Sequence, residues 1–151
     1  NVIYRVPRRY PGVARVVEKA QIEKLKPVAG NADVDALRAC AEAAEKGPDS
    51  PAATAWEGTD VLRVRATVRS GEAILVQVSY DPSWRAWSDG RLLLIRKDAV
   101  GNMLIDAPPG THDLKLAFET PLENRIGRFV SLGSALAVIV LIVAGSRRRE
   151  V

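Results

Sequence analysis

The segment from Phe129 to Ser146, FVSLGSALAVIVLIVAGS, contains no charged residue and is followed at once by Arg147, Arg148 and Arg149. As a helix rising about 1.5 Å per residue, such a run extends roughly 27 Å, close to the hydrocarbon thickness of a bilayer. A buried core helix is the competing reading. A core helix of a small domain normally keeps a polar stripe, and this run offers only Ser131, Ser134 and Ser146. The expectation is a transmembrane helix over 126–146 with a basic tail at 147–151. Its C-terminal place excludes a signal peptide.

Charge sets the expected orientation. Arg147, Arg148 and Arg149 after the span outweigh Arg125 and Arg128 before it, which places the tail in the cytoplasm and residues 1 to about 125 outside. Lys and Arg number 22 against 18 Asp and Glu, for a formal net charge of +4. Part of that excess lies in the tail, so the basic balance gives nucleic-acid binding little support. Cys40 is the single cysteine and cannot form an intramolecular disulfide. The chain opens on Asn1 rather than Met, as expected of a fragment or a processed product.

Ahead of the run the pattern is chiefly β. NVIYRV (1–6) reads as a short strand closed by Pro7, and VARVV (13–17) as a second, with Ile22–Leu25 as its continuation. From Asp33 the period becomes helical. Val34, Leu37, Ala41 and Ala44 share a face, Asp33 and Asp35 favour the N-terminal end, and Gly47-Pro48 stops the helix. Residues 1–47 thus form a small α/β lead-in, and the Pro-, Ala- and Ser-rich 48–60 a connector.

The clearest alternation begins at Val61. In VLRVRATVR, Leu62, Val64, Ala66 and Val68 point one way and Arg63, Arg65, Thr67 and Arg69 the other, giving a half-buried strand with an arginine-rich outer face. AILVQVSY (73–80) alternates next. Asp89-Gly90 suits a two-residue type I′ hairpin between Trp84–Ser88 and RLLLIRK, and MLIDA and THDLKLAFE (111–119) follow after further turns. Strands of this spacing predict an antiparallel, jelly-roll-like β-sandwich over 61–122, with Leu62, Val64, Val76, Val78, Leu114, Leu116 and Phe118 inside. The expected fold class is therefore mainly β with a small α/β lead-in, followed by one C-terminal transmembrane helix.

Catalytic chemistry has little to stand on. His112 shares a face with Leu114 and Leu116, and no Ser or Cys sits in a nucleophile motif, so a hydrogen-bonded structural histidine is favoured over a general base. One His, one Cys and scattered carboxylates make no metal-ligand spacing, and no Gly-rich phosphate loop is present. Asp81, Asp89, Asp98, Asp106 and Asp113 fall where turn chemistry accounts for them. The expectation is no catalytic residue, no metal and no cofactor. The unusual segment is Tyr80–Gly90, which sets Tyr80, Trp84 and Trp87 with Arg85 beside the Asp89-Gly90 hairpin. Aromatic faces of this kind meet sugar C–H surfaces or membrane interfaces; the alternative is a core plug, with Trp84 buried and Trp87 half-exposed.

The succession Tyr80, Trp84, Asp89-Gly90, then Pro109-Gly110-Thr111-His112, Phe118 and Ile126-Gly127 resembles the C-terminal region of YfhO-type bacterial membrane proteins. Those are multi-spanning proteins of glycosyltransferase-C-like (dolichyl-phosphate-mannose–protein mannosyltransferase-like) architecture. Pro82-Ser83-Trp84 stands where Pro-Gly-Trp is usual, and Pro108-Pro109-Gly110 replaces Pro-Ala-Gly. Val6-Pro7-Arg8 and Ala14–Val17 are similar to the lead-in of that region. The resemblance implies an extracytoplasmic accessory domain and last span of a polyprenyl-phosphate-sugar-dependent enzyme of the bacterial inner membrane. The family's catalytic acids lie in loops between early spans, so none carries over to this chain. The implied partners are the lipid bilayer, the remainder of the parent protein and a glycan or lipid-linked sugar. The alternative is a membrane-tethered module that binds a glycan or protein partner through the Trp84–Trp87 hairpin.

Overall fold

A computed structural model describes residues 12–30, 32–48, 50, 52–119, 130, 131, 133, 134 and 136. The chain divides into two compact units, Asn1–Phe118 and Glu119–Val151. In the first, the elements run β1 (Ala14–Glu18), α1 (Lys19–Glu23), α2 (Val34–Glu45), β2 (Ala53–Glu57), β3 (Val61–Val68), β4 (Glu72–Ser79), β5 (Trp84–Ser88), β6 (Arg91–Lys97), β7 (Asn102–Asp106) and β8 (Gly110–Phe118).

The eight strands form one sheet in the order β1-β4-β7-β6-β5-β8-β3-β2, with every neighbouring pair antiparallel. This corrects the expected jelly-roll sandwich. Strand β6 pairs with β5 through Arg91–Leu93 and with β7 through Leu94–Lys97, so a single strand joins what would otherwise be two sheets. The sheet curls until β3 meets β1 and β4 across the interior. One core results: Val16, Ile74, Val76, Met103 and Ile105 from one half pack with Leu62, Val64, Trp84, Ala86, Leu114 and Leu116 from the other. Each large aliphatic side chain buried this way contributes about 1.5–3 kcal/mol of transfer free energy. Val78 and Phe118 are only partly buried at the margin of that core.

Helices α1 and α2 cover the second face of the first half. Val17, Ala73, Leu75 and Leu104 point away from the central core and are buried with Ile22 and Ala44. Two expectations are corrected here. Ile22–Leu25 does not continue β1: the chain turns into α1 directly after Glu18. The α2 face turned inward carries Cys40 and Ala44, whereas Val34 is exposed: the C-terminal half of the helix meets β1, with Ala44 packed near Val17 and its carbonyl accepting from Arg15 at 3.5 Å. The connector 48–60 contains β2, an edge strand whose alternation is masked by its alanines. β1, from the expected lead-in, belongs to the same sheet as the rest.

Asp33 does cap α2, its carboxylate accepting from Ala36 N–H at 3.3 Å. Gly47 works differently from the C-cap expected. It has no left-handed φ, but a Cβ there would sit 2.8 Å from Val16 O, so its small size lets the end of α2 lie on β1.

The expected transmembrane helix is also corrected: among the described residues no helix is long and apolar enough to cross a membrane. Within 126–146 only Val130, Ser131, Gly133, Ser134 and Leu136 are described; they are helical, and Ser134 Oγ donates to Val130 O at 2.9 Å. The remainder of that segment, Arg147–Arg149 and the expected strand 1–6 lie outside the described residues.

Candidate functional site

The site follows from the behaviour of β6. After Leu93 the strand leaves β5 to complete the pairing with β7, and the two strands part. Between them opens a groove of about 530 Å³, lined by Tyr80, Pro82, Trp84, Arg85 and the consecutive Leu92, Leu93, Leu94 and Ile95. This volume falls within the range of small-molecule sites.

Each lining residue is placed by a local device. β4 carries an irregularity between Val76 and Ser79, which resets the register just before Tyr80. Tyr80 N–H then donates to Gly101 O at 2.8 Å. Asp81 builds the following turn, accepting from Ser83 N–H at 2.7 Å on its carboxylate and from Trp84 N–H at 3.1 Å on its carbonyl. Trp84 is buried and meets Phe118 edge-on at 5.5 Å and Trp56 at 6.4 Å between ring centroids. Arg85 donates to the carbonyls of Pro82 and Trp84, which ties its guanidinium to the rim of the groove.

Of the four residues singled out in the sequence, Tyr80, Trp84 and Arg85 converge on this groove. Trp87 does not. It lies on the outer face of β5, half-buried, opposite Leu92 on β6 and Lys115 on β8. Asp89 and Gly90 both have positive φ, 49° and 75°, as a type I′ hairpin requires. The sequence reading missed Leu92–Ile95. Four consecutive apolar residues do not show where a strand changes partners, and that change is what exposes them.

Other candidates resolve into structure. His112 is buried, with Nε2 2.6 Å from Pro108 O and Nδ1 3.0 Å from Ser88 Oγ. A carbonyl only accepts, so Nε2 carries the proton, and in the neutral ring Nδ1 accepts from Ser88. Ser88 itself is buried and cannot present a nucleophile. Asp98 accepts from Val100, Gly101 and Asn102 N–H and shapes the β6–β7 turn. Asp113 lies within β8 rather than at its end, opposite Arg65.

Asp106 has more than a turn role: it meets Arg96 Nε at 2.9 Å and Lys19 Nζ at 3.1 Å, and Arg96 also holds Glu23. Burial alone would raise its carboxyl pKa; the hydrogen bonds and charges of Arg96 and Lys19 outweigh that and hold it below the usual value. The Arg96 guanidinium is raised chiefly by its bond to Glu23, then by Asp106. This cluster fastens α1 to the sheet. Among the described residues no three His, Cys, Asp or Glu side chains converge as a metal site.

The fold and site define a curled antiparallel β domain, helix-covered on one half, with an aromatic and aliphatic groove where two strands part. No family model, no curated protein and no solved structure matches the chain.

Proposed function

We propose that this chain is an extracytoplasmic accessory domain of a larger glycosyltransferase-like protein of the bacterial inner membrane, and that it holds a glycan or lipid-linked sugar without acting on it. The groove carries this reading. Tyr80 offers aromatic surface over the buried ring of Trp84, Leu92–Ile95 an aliphatic wall, and Arg85 a fixed donor at the rim. A sugar ring presents apolar C–H faces beside hydroxyl acceptors, which such a lining complements. The resemblance of Tyr80, Trp84, Asp89-Gly90 and Pro109–His112 to YfhO-type proteins supplies the membrane setting. A glycan- or partner-binding module without such a parent would share the groove.

The test is a titration of the full chain in detergent with a short-chain polyprenyl-phosphate hexose and, separately, with the free oligosaccharide, followed by tryptophan fluorescence. Saturable binding of the lipid-linked sugar, weakened at least about tenfold in Tyr80→Ala without a fall in Tm, supports the proposal; loss of one good aromatic contact is worth that much. Binding of the free glycan alone would favour the independent module. Absence of binding to either would end the recognition role.

A further inference from the structure

The outer face of the curled sheet is uneven, and it begins at the outer lip of the groove, where Leu92 and Leu94 reach the surface. Along β6, Leu92 and Leu94 point outward, each 62 % exposed. Trp87 stands beside Leu92 on β5, and Lys115 beside Trp87 on β8. The same face continues through Arg63 and Arg65 on β3, with Arg85 beside Ala117. It therefore sets an apolar strip of Leu94, Leu92 and Trp87 beside Lys115, Arg63 and Arg65, with the guanidinium of Arg85 turned to the groove rim. The carboxylates facing the same way are Glu57 on β2, Asp113 on β8 and Asp106 on β7; Glu57 is bound to Arg63 at 3.0 Å, Asp113 lies opposite Arg65, and Asp106, opposite Leu94, is held by Arg96 and Lys19. The helix-covered half buries the equivalent apolar positions, Ala73, Leu75 and Leu104.

We infer that this strip docks on an anionic phospholipid surface, with Trp87, Leu92 and Leu94 entering the interface and Lys115, Arg63 and Arg65 meeting headgroup phosphates. Trp at headgroup depth, aliphatic side chains just below it and cations around them are the elements of interfacial binding. Charge complementarity selects an anionic bilayer over a zwitterionic one, since each basic residue near such a surface strengthens binding about fivefold. The inference rests on the reading that the domain works beside a membrane. It adds the contact face and the lipid charge.

The experiment uses the full chain with Cys40→Ala and a single introduced cysteine carrying an environment-sensitive fluorophore, at Leu94→Cys or, as the control on exposed α2, at Ala41→Cys. Both positions are exposed, so labelling does not disturb the core. Vesicles of phosphatidylglycerol with phosphatidylcholine should shift the Leu94 label to the blue and leave the Ala41 label unchanged. Phosphatidylcholine alone should give little shift, and Lys115→Glu should weaken the response at least about fivefold. An unshifted Leu94 label on the anionic vesicles, an equal shift at Ala41, or a response indifferent to lipid charge would each overturn the inference. Leu94 also borders the groove, so the vesicle shift is read with no sugar present; Tyr80→Ala should weaken sugar binding at least about tenfold yet keep that shift, which tells failure of the docking face from failure of the sugar site.

Discussion

The two halves of this sheet obey different burial rules. In β1, β4 and β7 both faces are covered, and the strands read as continuous buried runs: Ala14–Val17, Ala73–Val76 and Met103–Ile105. In β3 and β8 only the inner face is covered, and burial alternates, with Leu62, Val64, Ala66 and Val68 inside and Arg65 and Thr67 in solvent. Strands buried on one side need one apolar residue in two; strands buried on both need almost every position. The difference shows where the molecule can afford a surface for recognition. The helix-covered half is a scaffold, and the open half carries the groove and the basic face.

Point mutations probe that contrast. The largest effect is expected at Trp84, the aromatic shared by core and groove. Trp84→Ala should cost about 3–5 kcal/mol in denaturant unfolding, because it removes the ring that Phe118 and Trp56 pack against. Leu75→Ala should cost about 2–4 kcal/mol, since Leu75 is buried beneath the helices. A change below about 0.5 kcal/mol there would mean the helical cover is not a second core. Gly47→Ala belongs to the same region: its methyl would press on Val16 O, and a measurable fall in Tm is expected although alanine favours helix. On the open half, Arg65→Ala should change stability by no more than about 0.5 kcal/mol.

The smallest effect is a pH dependence. Asp106 has its carboxyl held down by Arg96 and Lys19, so its ionised form stabilises the fold above the ordinary carboxylate range. That contribution is lost as pH falls through its depressed folded-state value. Asp106→Asn should flatten the acid limb of an unfolding profile while leaving its shape above neutrality unchanged.

The contrast also explains what the sequence disclosed. Alternation located β3 and β8 and the inward Leu62, Val64, Leu114 and Leu116 to the residue, and Asp89-Gly90 located the hairpin. Reading β4 as alternating left Ala73 and Leu75 without a place, because a residue that is small or aliphatic does not announce which layer will cover it. β2 was hidden by Ala53 and Ala55, which carry almost no period, and the helical turn at Lys19 by a strand pattern that simply continues. The sandwich was expected because turn spacing reports strands and not their partners; the change of partner within β6 has no local signature. The same change made the groove, so Tyr80, Trp84 and Arg85 were legible as a cluster while their wall, Leu92–Ile95, was not. Trp87, three residues after the inward Trp84, goes to the outer face by strand alternation, which matches the reading of Trp84 buried and Trp87 half-exposed.

The groove where β5 and β6 part is the proposed ligand site of the open half. Backbone chemical-shift mapping of the full chain in detergent, with the polyprenyl-phosphate hexose added in steps, tests this directly. The predicted result is saturable shifts at Tyr80, Trp84, Arg85 and Leu92–Ile95, with Val16, Ala73–Val76 and Leu104 under the helices unmoved. Shifts confined to those covered strands, or none anywhere at saturating ligand, would contradict it.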